Sequence, residues 1–246
     1  MKSTNDKKKA FSMEDFDKGL MLAGFLTANS IEDIHERETL KKYEDDLAKE
    51  EKKAKSQMYF KRVVLAAEIA NQMYSEATFG HVKFQKLIYL CENAAHMDLN
   101  ARYSKQAAGP FDHRFMHTID QEFKKQKWFV VEKIIENNYQ RFKYTPLENK
   151  DGYKQYYASH FSNWDTQIKY ILNLFRKQKT DAVEIAATIY ACLLELMKEA
   201  TDANEENLLS LFYNWSEQKS KYSREQILSV WSWMKEKSII PKAENY

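Results

Sequence analysis

The chain has 246 residues, of which only five are Gly and three Pro; at average usage of about 7% and 5%, a chain this long would hold roughly 30 of the two together. That shortage excludes sandwiches, barrels and propellers, which need a tight turn about every ten residues, and glycine-rich phosphate loops, since neither G-x-G-x-x-G nor G-x-x-x-x-G-K-[ST] occurs. With 43% hydrophobic residues, 30% charged residues and a net charge of +2, the composition predicts a cored, mainly α protein and not a polycation that coats nucleic acid.

The first ten residues, with Lys7, Lys8 and Lys9, read as a disordered lead. Ser12, Asp15 and Phe16 open a helix whose apolar end is Leu20 to Leu26. The apolar run Gly19 to Ala28 is too short to span a bilayer. Glu14, Asp15 and Asp17 ahead of it argue against a signal peptide, so no membrane partner is expected. A second helix is predicted from Ser30 to about residue 57, with Leu40, Leu47 and Ala54 every seven residues and Tyr43 beside them. Glu38–Lys42, Asp45–Lys49 and Glu51–Lys55 are i, i+4 pairs that support it. Glu50 and Gln57 interrupt the second seam position, which points to a solvated arm more than to a coiled coil.

A core helix is predicted over 59–75 from Val63, Val64, Ala67, Ile69 and Ala70. The clearest helix covers 81–96, where Phe84, Leu87, Ile88, Cys91, Ala94 and Ala95 form an apolar stripe and Lys83, Gln85, Lys86 and Asn93 lie off it. A loop through 100–110, a helix over 111–127 and two strands, 128–135 and 139–145, follow. Glu136, Asn137 and Asn138 supply the turn between the strands. Helices are predicted over 152–161, 164–178, 181–199, 204–219 and 223–238, with Thr180, Asp202 and Ser223 as N-caps. Phe212, Trp215, Trp231 and Trp233 fall at helical spacings that mean core, with a partner-binding surface as the other use of such aromatics. The expected organisation is a charged helical arm (1–57), a middle segment (58–147) and a C-terminal bundle (148–246). Their net charges are −1, +4 and −1, so the basic excess sits in the middle.

Three helices followed by a hairpin is the winged-helix order, in which the third helix enters a major groove and the hairpin touches the DNA backbone. In that reading Arg114, Lys124, Lys125 and Lys127 meet phosphates. On the second strand, Tyr139, Arg141 and Lys143 share one face, and Phe142 and Tyr144 the other. A hairpin that merely caps a helical core is the plainer alternative. His113 and His117 are spaced i, i+4, half of a zinc site, and Asp112 or Asp120, with His81, His96 or Cys91, would have to complete it. Arg114 replaces the glutamate of H-E-x-x-H, and surface histidines explain the pair. Cys91 sits on the apolar stripe and reads as core. Asp112, Glu122 and Lys124 lie on one helix and not on strand ends, which argues against a nuclease site. Cys91 and Cys192 make no disulfide framework, and a reducing cytoplasm is the expected compartment.

The stretch Val82-Lys83-Phe84-Gln85-Lys86-Leu87-Ile88-Tyr89-Leu90, followed by Ala108-Gly109-Pro110, resembles the Panacea (SocA-like) domain over about residues 58–145. The matching positions are Lys83, Gln85, Lys86, Gly109 and Pro110, and Phe111-Asp112 stands where the family more usually has an apolar residue. The ending Trp233 to Lys237 and Ile239-Ile240-Pro241 is similar to segments associated with type I restriction-modification specificity subunits. The resemblance implies a non-catalytic bacterial regulator or adaptor without cofactor. Its expected partner is a protein encoded nearby, a restriction-modification subunit or a toxin, with DNA as the alternative. On their own chemistry, Gln85 and Lys86 brace a loop and Gly109-Pro110 sets the turn before a helix.

Overall fold

The computed structural model describes residues 31–136 and 139–241. The helix expected over 12–26, the Ser30 cap and the middle of the hairpin turn lie outside these residues. Packing divides the chain into residues 1–55 and 56–246. The segments expected as 58–147 and 148–246 therefore belong to one compact unit.

Helix α1 (Ile31–Met73) runs unbroken through 43 residues, where a break near residue 58 was expected. Ser56, Gln57 and Met58 include no Gly or Pro to stop it. Its two ends obey different physics. From Lys41 to Ser56 every residue is exposed, Tyr43 and Leu47 included. Side-chain pairs support this stretch: Lys55 lies 3.1 Å from Glu51, while Lys49 pairs with Asp46 at 3.1 Å and not with Asp45. From Arg62 to Ala70 every residue is buried.

Helix α2 (His81–Ala94) follows, buried on all sides from Lys83 to Glu92. The stripe expectation placed Lys83, Gln85 and Lys86 on a polar face; all three are instead inside. A short antiparallel ribbon, β1 (Ser104–Gln106) and β2 (Gly109–Phe111), occupies part of the predicted loop. Helix α3 (His113–Lys125) is capped by Asp112, whose carboxylate accepts from the Phe115 N–H at 3.1 Å. Its buried side, Phe115, Met116, Ile119 and Phe123, faces α1 and α2, with Tyr59–Phe115 and Phe84–Phe123 ring contacts at 5.9 and 6.1 Å. Lys127, at φ +58°, turns the chain into the hairpin of β3 (Phe129–Glu136) and β4 (Tyr139–Pro146). Register runs from Phe129 opposite Pro146 to Glu136 opposite Tyr139. Phe129 and Tyr144 are buried while Arg141 and Lys143 are exposed on the other face, the alternation the sequence predicts.

Helices α4 (Lys154–Phe161), α5 (Asp165–Phe175), α6 (Thr180–Lys198), α7 (Glu205–Tyr213) and α8 (Arg224–Glu236) complete the unit. Helix α6 is apolar nearly all round and packs on α2, β2, α7 and α8. Asn204, not Asp202, caps α7, and Ser223 caps α8 in a capping box with Gln226. The helix expected over 204–219 ends at Tyr213 and resumes as a 3₁₀ turn, Glu217–Lys221. Tertiary bonds impose this break: Trp215 Nε1 donates to the Gln106 carbonyl at 2.8 Å, Ser216 Oγ to that of Ala107 at 3.2 Å, and Lys219 turns inward. Phe212, Trp215 and Trp231 are buried and Trp233 stands edge-on to Phe175 at 5.2 Å, so the aromatic stripe is core. The architecture is mainly α with a small antiparallel hairpin, plus the shorter ribbon.

Candidate functional site

Four of the five motif residues do structural work inside the molecule. Lys83 donates to Thr78 Oγ1 at 2.8 Å and to the Arg176 and Gln178 carbonyls at 2.9 and 2.7 Å. An ammonium has three donors, and all three are used. It thereby satisfies carbonyls left over at the end of α5. Burial pulls its pKa down to about 8. Lys86 donates to the Pro110 carbonyl at 2.7 Å. Gly109 lies against the same side chain at φ +98°, and a Cβ there would meet Thr188 Oγ1 on α6 at 2.7 Å. Only glycine meets both the backbone and the space requirement at this position. Lys86, Gly109 and Pro110 thus form one joint between α2, β2 and α6, although 24 residues separate Lys86 from Pro110.

Two further charges share the Lys86 environment. Glu184 on α6 accepts from Lys219 Nζ at 2.8 Å, and Lys219 is as fully buried as Lys86. Burial, and then the neighbouring Lys219 charge, lower the Lys86 pKa to about 7, with Glu184 opposing. Lys219 is lowered too, by burial against the pull of Glu184. Glu184 is thus bonded by Lys219 and flanked by the half-exposed Lys221 at 3.7 Å, while Lys86 keeps to the Pro110 carbonyl.

At the other end of α2 the balance reverses. Arg62 on α1 donates through Nε to Glu92 Oε1 at 2.6 Å and through Nη1 to Asp112 Oδ2 at 2.6 Å. Nη2 donates to Glu92 Oε2 at 3.3 Å and to the Tyr103 hydroxyl at 3.2 Å, and that hydroxyl donates to Glu92. The guanidinium lies 4.2 Å from the Phe115 ring centroid, a stacked arrangement that suits a weakly hydrated cation. Burial raises Glu92 against the pull of Arg62. Burial also pushes on Asp112, but the N–H groups of Arg102 and Phe115, with Arg62, outweigh it and hold its pKa below the ordinary value. Gln85, the fifth motif residue, borders this cluster; its Oε1 is buried and finds no hydrogen-bond partner among the described residues. The crevice beside it, lined also by Tyr103 and Met116, is too narrow for a water molecule.

The cations expected to meet DNA are all at the surface: Arg114, Lys124 and Lys125 on α3, Lys127 after it, Arg141 and Lys143 on β4. Acids interleave with them. Lys127 pairs with Glu148 at 3.0 Å, Lys125 with Glu122 at 3.7 Å, and Lys143 lies opposite Glu132 in register. His113 and His117 stack with ring centroids 6.3 Å apart on the exposed side of α3. Among the described residues no three His, Cys, Asp or Glu side chains are placed to hold a metal ion. His81 bonds the Tyr144 hydroxyl through Nδ1 at 2.9 Å, and burial lowers its pKa to about 4. Cys91 and Cys192 are buried, the latter thiol pushed up to about 12. Asp112 is consumed by Arg62, apart from any role with Glu122 and Lys124.

Arg62, Glu92, Tyr103, Glu184 and Lys219 escaped the sequence reading, and Asp112 enters it only as a metal ligand. A signal existed for two of them: Glu184 interrupts the apolar run Ala182 to Ala187, and Arg62 directly precedes Val63-Val64-Leu65. A charge inside an apolar run needs a buried partner.

Among the described residues no helix is long and apolar enough to cross a membrane. No family model matches the chain, and no curated protein matches it.

Proposed function

We propose that this protein is a non-catalytic regulatory or adaptor protein of a bacterial restriction-modification or toxin–antitoxin system, acting by binding a protein encoded beside it. One observation carries the reading most weight. The polar groups of the motif that resembles the Panacea domain are turned inward, with the Lys83 donors saturated and Lys86 bonded to Pro110. Lys83 and Lys86 thereby build a scaffold and leave recognition to the outer surface. Co-expression with the products of the genes on either side of its own tests this. A stoichiometric complex on size-exclusion chromatography is the expected result, and separate elution of every pair contradicts it.

A second reading has its own observation. Six cations are exposed along α3, its C-terminal turn and the outer face of β4, where a duplex backbone would lie in a winged-helix docking. Binding to duplex DNA should then weaken steeply with salt, and Lys125→Ala or Arg141→Ala should each weaken it evenly across sequences. Absence of duplex binding at low salt removes this reading and leaves the first untouched.

A further inference from the structure

The exposed residues of α3 are His113, Arg114, His117, Gln121, Lys124 and Lys125, with no acid among them. The two acids of the helix, Asp120 and Glu122, are partly buried and fall to either side of that face. Glu122 accepts from Gln126 Nε2 at 2.8 Å, and Asp120 sits beside the buried Tyr144. Thr118 marks the edge against α1, where its hydroxyl accepts from that of Tyr59 at 3.0 Å.

Arg114, His117, Gln121 and Lys124 follow one another at steps of three and four residues and so form a single stripe along the helix. Among the described residues, the side chains of Arg114, Gln121 and Lys124 make no hydrogen bond or ion pair, whereas Lys125 is drawn to Glu122 and Lys127 to Glu148. The donors of the stripe therefore point outward with nothing to satisfy them but water or a ligand.

The chemistry of the stripe selects the ligand. Cations without acids call for an anion, and from Arg114 to Lys124 the stripe extends about 15 Å, more than a single anionic group fills. Duplex DNA is a polyanion whose major groove, about 12 Å wide, admits a helix; the narrow major groove of duplex RNA does not. A face meant for phosphates alone would carry lysine and arginine throughout. Gln121, in the middle of the stripe, is neutral and gains nothing from phosphate charge. Its amide holds a donor and an acceptor together, which match N7 and the amino group of adenine. Arg114 stands in the first turn, the end of a recognition helix that meets base edges, and a guanidinium matches O6 and N7 of guanine.

We propose that α3 reads duplex DNA in the major groove, with Arg114 on a guanine and Gln121 on an adenine, while Lys124 and Lys125 hold phosphates. This rests on the duplex reading above and adds sequence specificity to it; Arg114 meets a base edge and not a phosphate. Gln121 follows Arg114 by seven positions, about 10 Å along the helix. Against a rise of about 3.4 Å per base pair, the guanine and the adenine stand about three base pairs apart. His117, its ring stacked on His113, lies over the step between them.

Selection of the full chain against duplexes with a randomised core at low salt, followed by fluorescence anisotropy on the recovered duplexes, tests the assignment. The enriched motif should carry a guanine and an adenine at that spacing. Arg114→Ala should lose the preference for the guanine and Gln121→Ala that for the adenine, each by about tenfold or more in discrimination. Gln121→Ala should keep the wild-type salt dependence, whereas Lys124→Ala should keep the motif and lower the salt slope by about one. All three positions are exposed on a helix, so the variants keep the fold. Binding without an enriched motif, or a motif that survives both Arg114→Ala and Gln121→Ala, overturns the inference and leaves the duplex reading standing. No binding to any duplex at low salt removes both and leaves an acidic protein surface as the occupant of this face.

Discussion

Helix α2 is held at its two ends by buried charge clusters of opposite composition. Near Glu92, one cation, Arg62, serves two carboxylates and a tyrosine hydroxyl; near Lys86, the one carboxylate, Glu184, is bonded by Lys219, while Lys86 bonds the Pro110 carbonyl. The chemistry of the cation explains the difference. A guanidinium has five donors in a planar fork and never gives up its proton, so Arg62 bonds two acids and stacks on Phe115 at once. An ammonium is a compact, strongly hydrated point charge that burial disfavours, and burial lowers the pKa of both Lys86 and Lys219. The first cluster is thus built on a cation that keeps its charge and the second on cations whose charge burial disfavours.

The largest effect should come from removing the shared partner. Arg62→Met leaves Glu92 and Asp112 buried without a cation and should cost about 3–5 kcal/mol in urea unfolding at neutral pH. Gly109→Ala attacks the lysine cluster through the backbone, by forcing a Cβ against Thr188 at φ +98°. A loss of about 1–3 kcal/mol is expected in the same measurement, and an unchanged midpoint would show that the joint between α2, β2 and α6 is slack. Lys219→Met removes the cation bonded to one carboxylate, Glu184, and not a partner shared by two. It leaves Glu184 with only the half-exposed Lys221 at 3.7 Å, so its cost at pH 7 should reach about 1–3 kcal/mol, below that of Arg62→Met because one carboxylate and not two loses its cation. Smallest of all, Lys105→Ala breaks an ion pair on the outside of the ribbon, with half of the lysine side chain exposed. Thermal melts should place it within about 0.5 kcal/mol of wild type.

Much of the fold was legible because apolar periodicity is local. The stripe of α2, the alternation of β4 with Tyr144 in and Lys143 out, and the Ser223 cap each need only neighbours in sequence. The inward turn of Lys83 and Lys86 was not legible, because a lysine is buried only where acceptors wait. Those acceptors are remote: Gln178 lies 95 residues after Lys83, and Pro110 24 residues after Lys86. The same reason hid the end of α7, which is set by bonds from Trp215 and Ser216 to residues 109 positions away. The continuity of α1 was missed for a different reason. A change from charged to apolar residues at about position 58 resembled a boundary, yet composition can change along a helix without breaking it.

The opposed clusters make opposed demands on pH, and one paired measurement tests that directly: unfolding free energies of wild type, Arg62→Met and Glu184→Gln from pH 5 to pH 9.5. In Arg62→Met the orphaned carboxyls have raised folded-state pKa values, so the loss is large above them and shrinks as pH falls toward the unfolded carboxyl range. In Glu184→Gln the orphaned lysines have lowered folded-state pKa values, so the loss is complete at low pH and shrinks as pH rises toward the unfolded lysine range. The account predicts losses that shrink at opposite ends of the pH range. Losses that are constant with pH, or that shrink at the same end in both variants, would contradict it.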